Sequence, residues 1–415
     1  MSRTLTICMA LAGLAGAAVA AEDSCRDCHS ALEGSLQAPA ELFANDVHAR
    51  RGFGCAACHG GDPQTGDPEL SMSRARGFRG KITRTEVPRL CARCHSDAAF
   101  MHKFNPKQRV DQYAQYVTSV HGQRIATQDS AAANCADCHS VHDIREVRDT
   151  LSPVHPLRLP ATCGHCHSDA VRMAKYGIPV NQLDEYGKSV HWEALEKRGD
   201  LSAPSCASCH GNHGATPPGL DSVAAVCGTC HVLMEDLFRK SPHQPVFVQM
   251  GMGGCAACHG NHAVLKPSTE MLAGKQSTCG GCHEAESAGG KTAAEMAALI
   301  GKLSAALGRS ESILNRASSS GMEVSEAVLR LNDGREALVK ARVAVHAVVT
   351  GVVQAPVSDG LKIAAETLAA GEQALRERNR RRIGLGISLL AIVVTLIGLR
   401  RAIRSIEKPP VSAGR

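Results

Sequence analysis

The chain has 415 residues and a formal net charge of +6, enough length for two or three domains, yet aromatics make up only 3% and Trp192 is its one tryptophan. That is thin material for an ordinary apolar core of this size, so buried apolar surface has to come from elsewhere, and a bound cofactor is one source. The mild positive balance has no basic stripe interleaved with aromatics, which excludes a nucleic-acid-binding reading.

The chain opens on Met1-Ser2-Arg3 and an apolar run from Leu5 to Val19, and Ala18-Val19-Ala20 then precedes the polar Glu22-Asp23. This pattern predicts a secretory signal peptide over 1–21 and a mature chain outside the cytoplasm. Of 19 cysteines, Cys8 lies in that leader. In a secreted chain so many cysteines suggest disulfides, and in a cytosolic one zinc.

The other cysteines all fall in C-x-x-C pairs, each followed at once by histidine. In chain order these are Cys25-Cys28-His29, Cys55-Cys58-His59, Cys91-Cys94-His95, Cys135-Cys138-His139 and Cys163-Cys166-His167. Cys206-Cys209-His210, Cys227-Cys230-His231, Cys255-Cys258-His259 and Cys279-Cys282-His283 follow. Two residues between the cysteines put both sulfurs on one turn, where they can form thioethers with the two vinyl groups of a haem. The adjacent histidine then lies under the ring, with its nitrogen on iron. Zinc ribbons have no need of a histidine directly after every second cysteine, and thioredoxin-like pairs are not repeated nine times. The expectation is nine haem c groups with those nine histidines as proximal ligands. Each haem brings two propionates, which turns the net charge negative.

The motifs form a repeat. Ser119-Val120-His121 leads to C-A-D-C-H-S-V-H, Ser189-Val190-His191 to C-A-S-C-H-G-N-H, and Ser241-Pro242-His243 to C-A-A-C-H-G-N-H. Asp46-Val47-His48 leads to a decayed copy with Asp62 in place of the trailing histidine. A plainer motif follows each, giving four two-haem units after one lone site. Such repeats usually stack in a line. Helical turns are predicted at Tyr113 to Val120 and Asp184 to Val190, with long loops between.

Distal ligands are sought among the remaining histidines. His346 lies in a cysteine-free segment, and His165 sits inside its own motif. Setting these aside leaves nine candidates for nine irons: His48, His102, His121, His142, His155, His191, His213, His243 and His262.

S-V-H-G, C-A-D-C-H-S-V-H-D-I, S-P-V-H-P with T-C-G-H-C-H, and C-H-G-N-H resemble the periplasmic multihaem cytochromes with doubled C-x-x-C-H motifs, relatives of the class III cytochromes c. The resemblance covers roughly Cys25 to His283. It implies bis-histidine, low-potential haems packed as a wire in anaerobic respiratory chains. Membrane-anchored quinol-oxidising multihaem cytochromes are similar in plan, but their single anchor is N-terminal.

After His283 the composition shifts to Ala, Leu, Val, Glu and Arg. Val324, Val328, Leu331, Leu338, Val345, Val349 and Val352 recur at helical spacing. Ser318-Ser319-Ser320-Gly321 and Ala355-Pro356 read as breaks, so three helices in a bundle are predicted. Ile383 to Leu399 is uncharged and apolar, flanked by Arg378, Arg380, Arg381 and Arg382 before it and Arg400, Arg401 and Arg404 after it. A transmembrane helix is predicted there.

The organisation expected is therefore a leader (1–21), a nonahaem region (22–288), a helical segment (289–382), a membrane helix (383–399) and a cytoplasmic tail (400–415). The fold class is mainly α and loop-rich, with little regular structure around the haems. The function expected is electron transport by a single-pass protein on the periplasmic face of the inner membrane. It would work with redox partner proteins, a membrane donor and a periplasmic or outer acceptor. A multihaem reductase of nitrite, hydroxylamine or a sulfur oxyanion is the alternative. It needs an iron with an open position, and the chain has no Lys in place of a motif histidine.

Overall fold

The computed structural model describes residues 23–407; the expected leader and Cys8 lie outside them, as does the end of the tail. Among the described residues the secondary structure is helical, with no strand. The chain divides into two compact units. One runs to Val223 and takes in His262–Val264; the other holds Ala224–Asn261 and everything from Leu265.

The first unit is built from short helices, and most of its motifs are themselves helical turns: Ser24–Ser30, Ala56–His59, Val87–His95, Cys135–His139, Leu159–His167 and Cys206–His210. The first-type motifs end abruptly because the next residue has a positive φ with ψ extended, at φ 71° for Gly60, 69° for Ser140 and 77° for Gly211. At Gly60 the glycine is obligatory on two counts, since a Cβ would also lie 2.0 Å from the carbonyl oxygen of Gly77.

Each upstream histidine follows a cap. The Ser119 hydroxyl accepts from Gly122 N–H at 3.0 Å and the Ser189 hydroxyl from Trp192 N–H at 3.1 Å, starting the helices Val120–Ala126 and Val190–Trp192. The expected turns before these histidines are thus two pieces, Gln112–Tyr116 and Gln182–Tyr186 first, then the capped helix. Tyr116 and Tyr186 lock the repeats. Their hydroxyls donate to the carbonyls of Ala133 (2.8 Å) and Pro204 (2.7 Å), each two residues before a motif cysteine. Arg84 braces the same region by a bidentate pair with Asp137, at 2.9 and 2.7 Å.

In the second unit, three long helices follow the last motif: Ala288–Ser319, Ser325–Ala344 and Thr350–Ile406. The first buries Ala293, Met296, Ile300, Leu303, Leu307, Ser310, Leu314 and Ala317, alternating steps of three and four. The third does the same from Val353 to Gly371. This is the seam of a coiled-coil-like bundle. Gly334 and Gly360 let the helices close, since a Cβ at Gly360 would lie 2.8 Å from Leu303 Cδ1. One seam layer is polar: the Ser310 and Thr367 hydroxyls hydrogen-bond at 2.7 Å, both buried.

Three helices and the break at Ser318-Gly321 agree with the sequence, but the second break does not lie at Ala355-Pro356. Pro356 sits inside the continuous helix Thr350–Ile406. The turn falls at Val345–Ala347, with Val348 at φ 55° and Val349 extended. The stripe read through Val352 therefore spans a corner, and Val328, Val349 and Val352 are exposed. The third helix is the one described helix long and apolar enough to cross a membrane, and its most apolar stretch is not buried against the protein.

Candidate haem sites

Wherever the structure describes a ring pair around a motif, the motif histidine faces a second histidine. In the first unit the ring centroids are 6.0 Å apart for His95 and His48, 6.2 Å for His59 and His142, 6.2 Å for His167 and His121, 6.2 Å for His139 and His213, and 6.0 Å for His210 and His262. In the second unit they are 5.9 Å for His283 and His243 and 6.0 Å for His259 and His346. A ligating imidazole nitrogen sits about 2 Å from a first-row metal. Two rings on opposite faces of one iron therefore hold their nitrogens about 4 Å apart and their centroids about 6 Å apart. The observed spacing suits a six-coordinate haem iron. Direct ring stacking would be closer, and a shared zinc would need more ligands.

The pairs follow a rule. The upstream histidines His48, His121 and His243 face the second motif of their own repeat. Each trailing histidine faces the first motif of the preceding repeat, as His142, His213 and His262 do. The backbone shows why. Beyond the trailing histidine the chain threads back, so that Ile144 O accepts from Val47 N–H at 2.7 Å and Val264 O accepts from Val190 N–H at 2.9 Å. These two bonds are equivalent in the repeat.

The supporting shell fixes which nitrogen is bare. His59 Nδ1 lies 3.0 Å from Gly80 O, His29 Nδ1 3.1 Å from Leu36 O, and His346 Nδ1 2.9 Å from Val343 O. An Nδ1–H donated to a carbonyl leaves Nε2 free for a metal. For His48 the acceptor is Asp46, at 2.9 Å. Asp46 is wholly buried and also accepts from His48 N–H and Ile144 N–H, both at 2.7 Å. It holds the upstream histidine of one repeat and the segment after the trailing histidine of the next.

Desolvation, and then the facing ring, keep His95, His121, His139, His142, His210, His243 and His259 below the ordinary histidine range. His139 is lowered to about 4, with His213 and His95 as the charges it senses. The neutral ring is the form a metal takes.

Successive motifs are neighbours within each unit. The Cys55 thiol is pushed up to about 11 by burial, with Asp23 and Cys25 adding to it. Burial and then Cys91 and Cys94 raise Cys58, and burial, Asp137 and Cys166 raise Cys138. The Cys91 and Cys135 thiols lie close enough to perturb each other, as do those of Cys163 and Cys206. In the second unit the Cys227 and Cys255 thiols perturb each other, and Cys258 senses Cys279 and Cys282. Within each unit the motif order in space follows the order in the chain.

Residues 47–168 match the family model of cytochrome c3. No curated protein and no solved structure matches the chain. The matched stretch holds the motifs ending in His59, His95, His139 and His167. Together with the motif spacing it supports a multihaem c-type cytochrome, with electron transfer as its role. The donor set fits that cofactor: paired cysteines on one turn, a histidine beneath, and a second neutral histidine opposite.

The remaining sequence candidates are placed as follows. His191 follows its Ser189 cap in the first unit, and His231 begins the helix Val232–Arg239 in the second. His102 is exposed, with Nε2 3.1 Å from Gln108 O. His155 is buried, with Leu157 N–H 3.4 Å from its Nδ1. Among the described residues no ring contact joins either to a motif histidine. Among the described residues no histidine ring faces His29, and Asp62, at the trailing position, pairs with Arg76.

Asp46, the tyrosine locks and, by its place opposite His259, His346 lie outside the sequence candidates. The recurring Tyr116-x-x-Ser119 and Tyr186-x-x-Ser189, matched by Phe43-x-x-Asp46 and Phe238-x-x-Ser241, were a readable signal for the first two.

Proposed function

We propose that this chain is a nonahaem c-type cytochrome, anchored by its C-terminal helix on the periplasmic side of the inner membrane, that carries electrons through bis-histidine haems in an anaerobic respiratory chain. The observation that carries the reading is the run of histidine pairs at 5.9–6.2 Å around the motifs. When bound, haem c supplies reversible one-electron chemistry at its iron. The chain's residues do the rest. The motif cysteines fix each ring covalently, and the nine motif histidines give the proximal nitrogens. His48, His121, His142, His213, His243 and His262 give distal ones, as does His191 from the same repeat position. Where two histidines would hold the group, no site would remain for substrate, and electron relay is the chemistry it would supply.

The bundle supports a relay over direct quinol oxidation. From Thr350 to Ile383 the third helix is continuous, about 50 Å at 1.5 Å per residue. His346, just before that helix, stands at the end of the bundle farthest along it from the apolar segment. Redox partner proteins would then deliver and take the electrons.

The reductase reading has one observation in its favour, the His29 site with Asp62 in place of a trailing histidine. If His29 supplies one axial ligand alone, its iron is the place where a small oxidant would bind.

The intact mass of protein made with haem-attachment machinery tests the main reading. A mass excess of nine haems is expected; seven or fewer contradicts it.

A further inference from the structure

No cysteine lies near His346 in the sequence, yet among the described residues of the second unit it faces a motif histidine, as His243 does. We infer that His346 is the distal ligand of the haem held by Cys255, Cys258 and His259, so that the helical bundle completes the haem chain. This rests on the bis-histidine reading above.

Three observations carry it. The first is the pattern of the repeat. The first-type motifs at His59, His139 and His210 each face the trailing histidine of the following repeat. His259 belongs to the last repeat, which no further repeat follows. His346 stands where that missing histidine would stand, 6.0 Å from His259.

The second is ring orientation. The pairs made by trailing histidines are nearly parallel, at 14° for His59 and His142, 8° for His139 and His213, and 20° for His210 and His262. The pairs made by upstream histidines are more crossed, at 85°, 58° and 39°. His259 and His346 lie at 22°, with the trailing class.

The third is the tautomer. His346 Nδ1 donates to Val343 O at 2.9 Å, within the turn Val345–Ala347 that joins the second and third bundle helices. That leaves Nε2 as the metal-binding nitrogen, the arrangement His59 has through Gly80 O. The turn is held in place from both sides. Val348 takes the left-handed conformation at φ 55° to end it, and the helix Val232–Arg239 packs against it. The start of the first helix, at this same end of the bundle, makes a similar approach: a Cβ on Gly289 would lie 2.4 Å from His283 Nδ1, and Thr350 bonds Glu295 at 3.1 Å. The bundle is therefore built against the last two motifs rather than hung from them.

The test uses the full-length holoprotein. His346→Ala should keep the intact mass of all its haems, because no thioether is touched, and should turn one low-spin iron high-spin. Added imidazole should return that iron to low spin. His346→Met should keep it low-spin and raise one haem potential, as methionine ligation does. In a chain that also carries Cys255→Ala and Cys258→Ala, His346→Ala should add no high-spin iron, which assigns the effect to this site. Helix content by circular dichroism, unchanged in His346→Met, reports that the bundle stands. A low-spin parent whose spectrum His346→Ala leaves unaltered overturns this inference alone. A parent that is high-spin at most of its irons overturns the bis-histidine reading beneath it.

Discussion

Replacing Asp46 by alanine should damage two haem sites at once, although Asp46 is in neither motif. Its carboxylate is fully buried and accepts three hydrogen bonds, from His48 N–H, His48 Nδ1–H and Ile144 N–H. Alanine strands two backbone donors, each costing about 1–3 kcal/mol where water cannot replace the acceptor. Both donors are partly exposed, so a total of roughly 2–4 kcal/mol is expected, a large share of an ordinary stability of about 5–15 kcal/mol. The ligand effect is separate. Loss of the Nδ1 partner of a metal-bound histidine weakens its metal affinity by about 10–100-fold. His48 faces His95, and His142, two residues before Ile144, faces His59. Electron paramagnetic resonance of the oxidised protein should show low-spin signal weakened at two irons, with the haem mass unchanged and the melting temperature lowered. Asp46→Ser, which installs the residue found at Ser119, Ser189 and Ser241, should restore the His48 cap but not the Ile144 bond, and so rescue the His95 site more than the His59 site. An Asp46→Ala protein with both sites fully low-spin and an unchanged melting temperature would mean that Asp46 supports neither site.

Three further outcomes follow from the geometry. His142→Ala should leave the haem at its own motif, His139, low-spin and turn the His59 haem high-spin, a crossing checked by repeating it in Cys55→Ala/Cys58→Ala protein. In the bundle, Gly360→Ala should destabilise by about 1–2 kcal/mol, since overpacking against Leu303 outweighs the helix gain of about 1 kcal/mol, whereas Gly308→Ala, with open space at its Cβ, should stabilise by up to about 1 kcal/mol; thermal unfolding separates the two signs. Truncation before Arg376 keeps every buried position of the third helix through Gly371 and should release a soluble haem protein into the periplasm; retention in the membrane fraction would contradict the anchor.

The motifs and the helical nature of the fold could be read directly from the sequence, because c-type attachment demands fixed local spacing. Which histidine meets which motif could not, because it depends on chain reversal. The bond from Val47 N–H to Ile144 O spans nearly a hundred residues, and no periodicity encodes it. His346 shows the same limit from the other side: a helix corner brings it 6.0 Å from His259 although no cysteine lies near it in the sequence. Pro356 misled for a local reason. Proline in a helix interior costs one hydrogen bond and strains the preceding turn, but the helix Thr350–Ile406 packs from Val353 onward and carries that cost. The corner lies instead at Val348, a β-branched residue in a left-handed conformation that no turn-residue rule would choose.

The paired-histidine account is tested most directly by the spin state of the iron in the oxidised, unmodified protein, counted against its haem content. The account predicts low-spin iron throughout, except for at most one high-spin iron, which Cys25→Ala/Cys28→Ala should abolish because it belongs to the His29 site. High-spin iron at two or more haems, or a single high-spin iron that survives removal of the His29 haem, would contradict it.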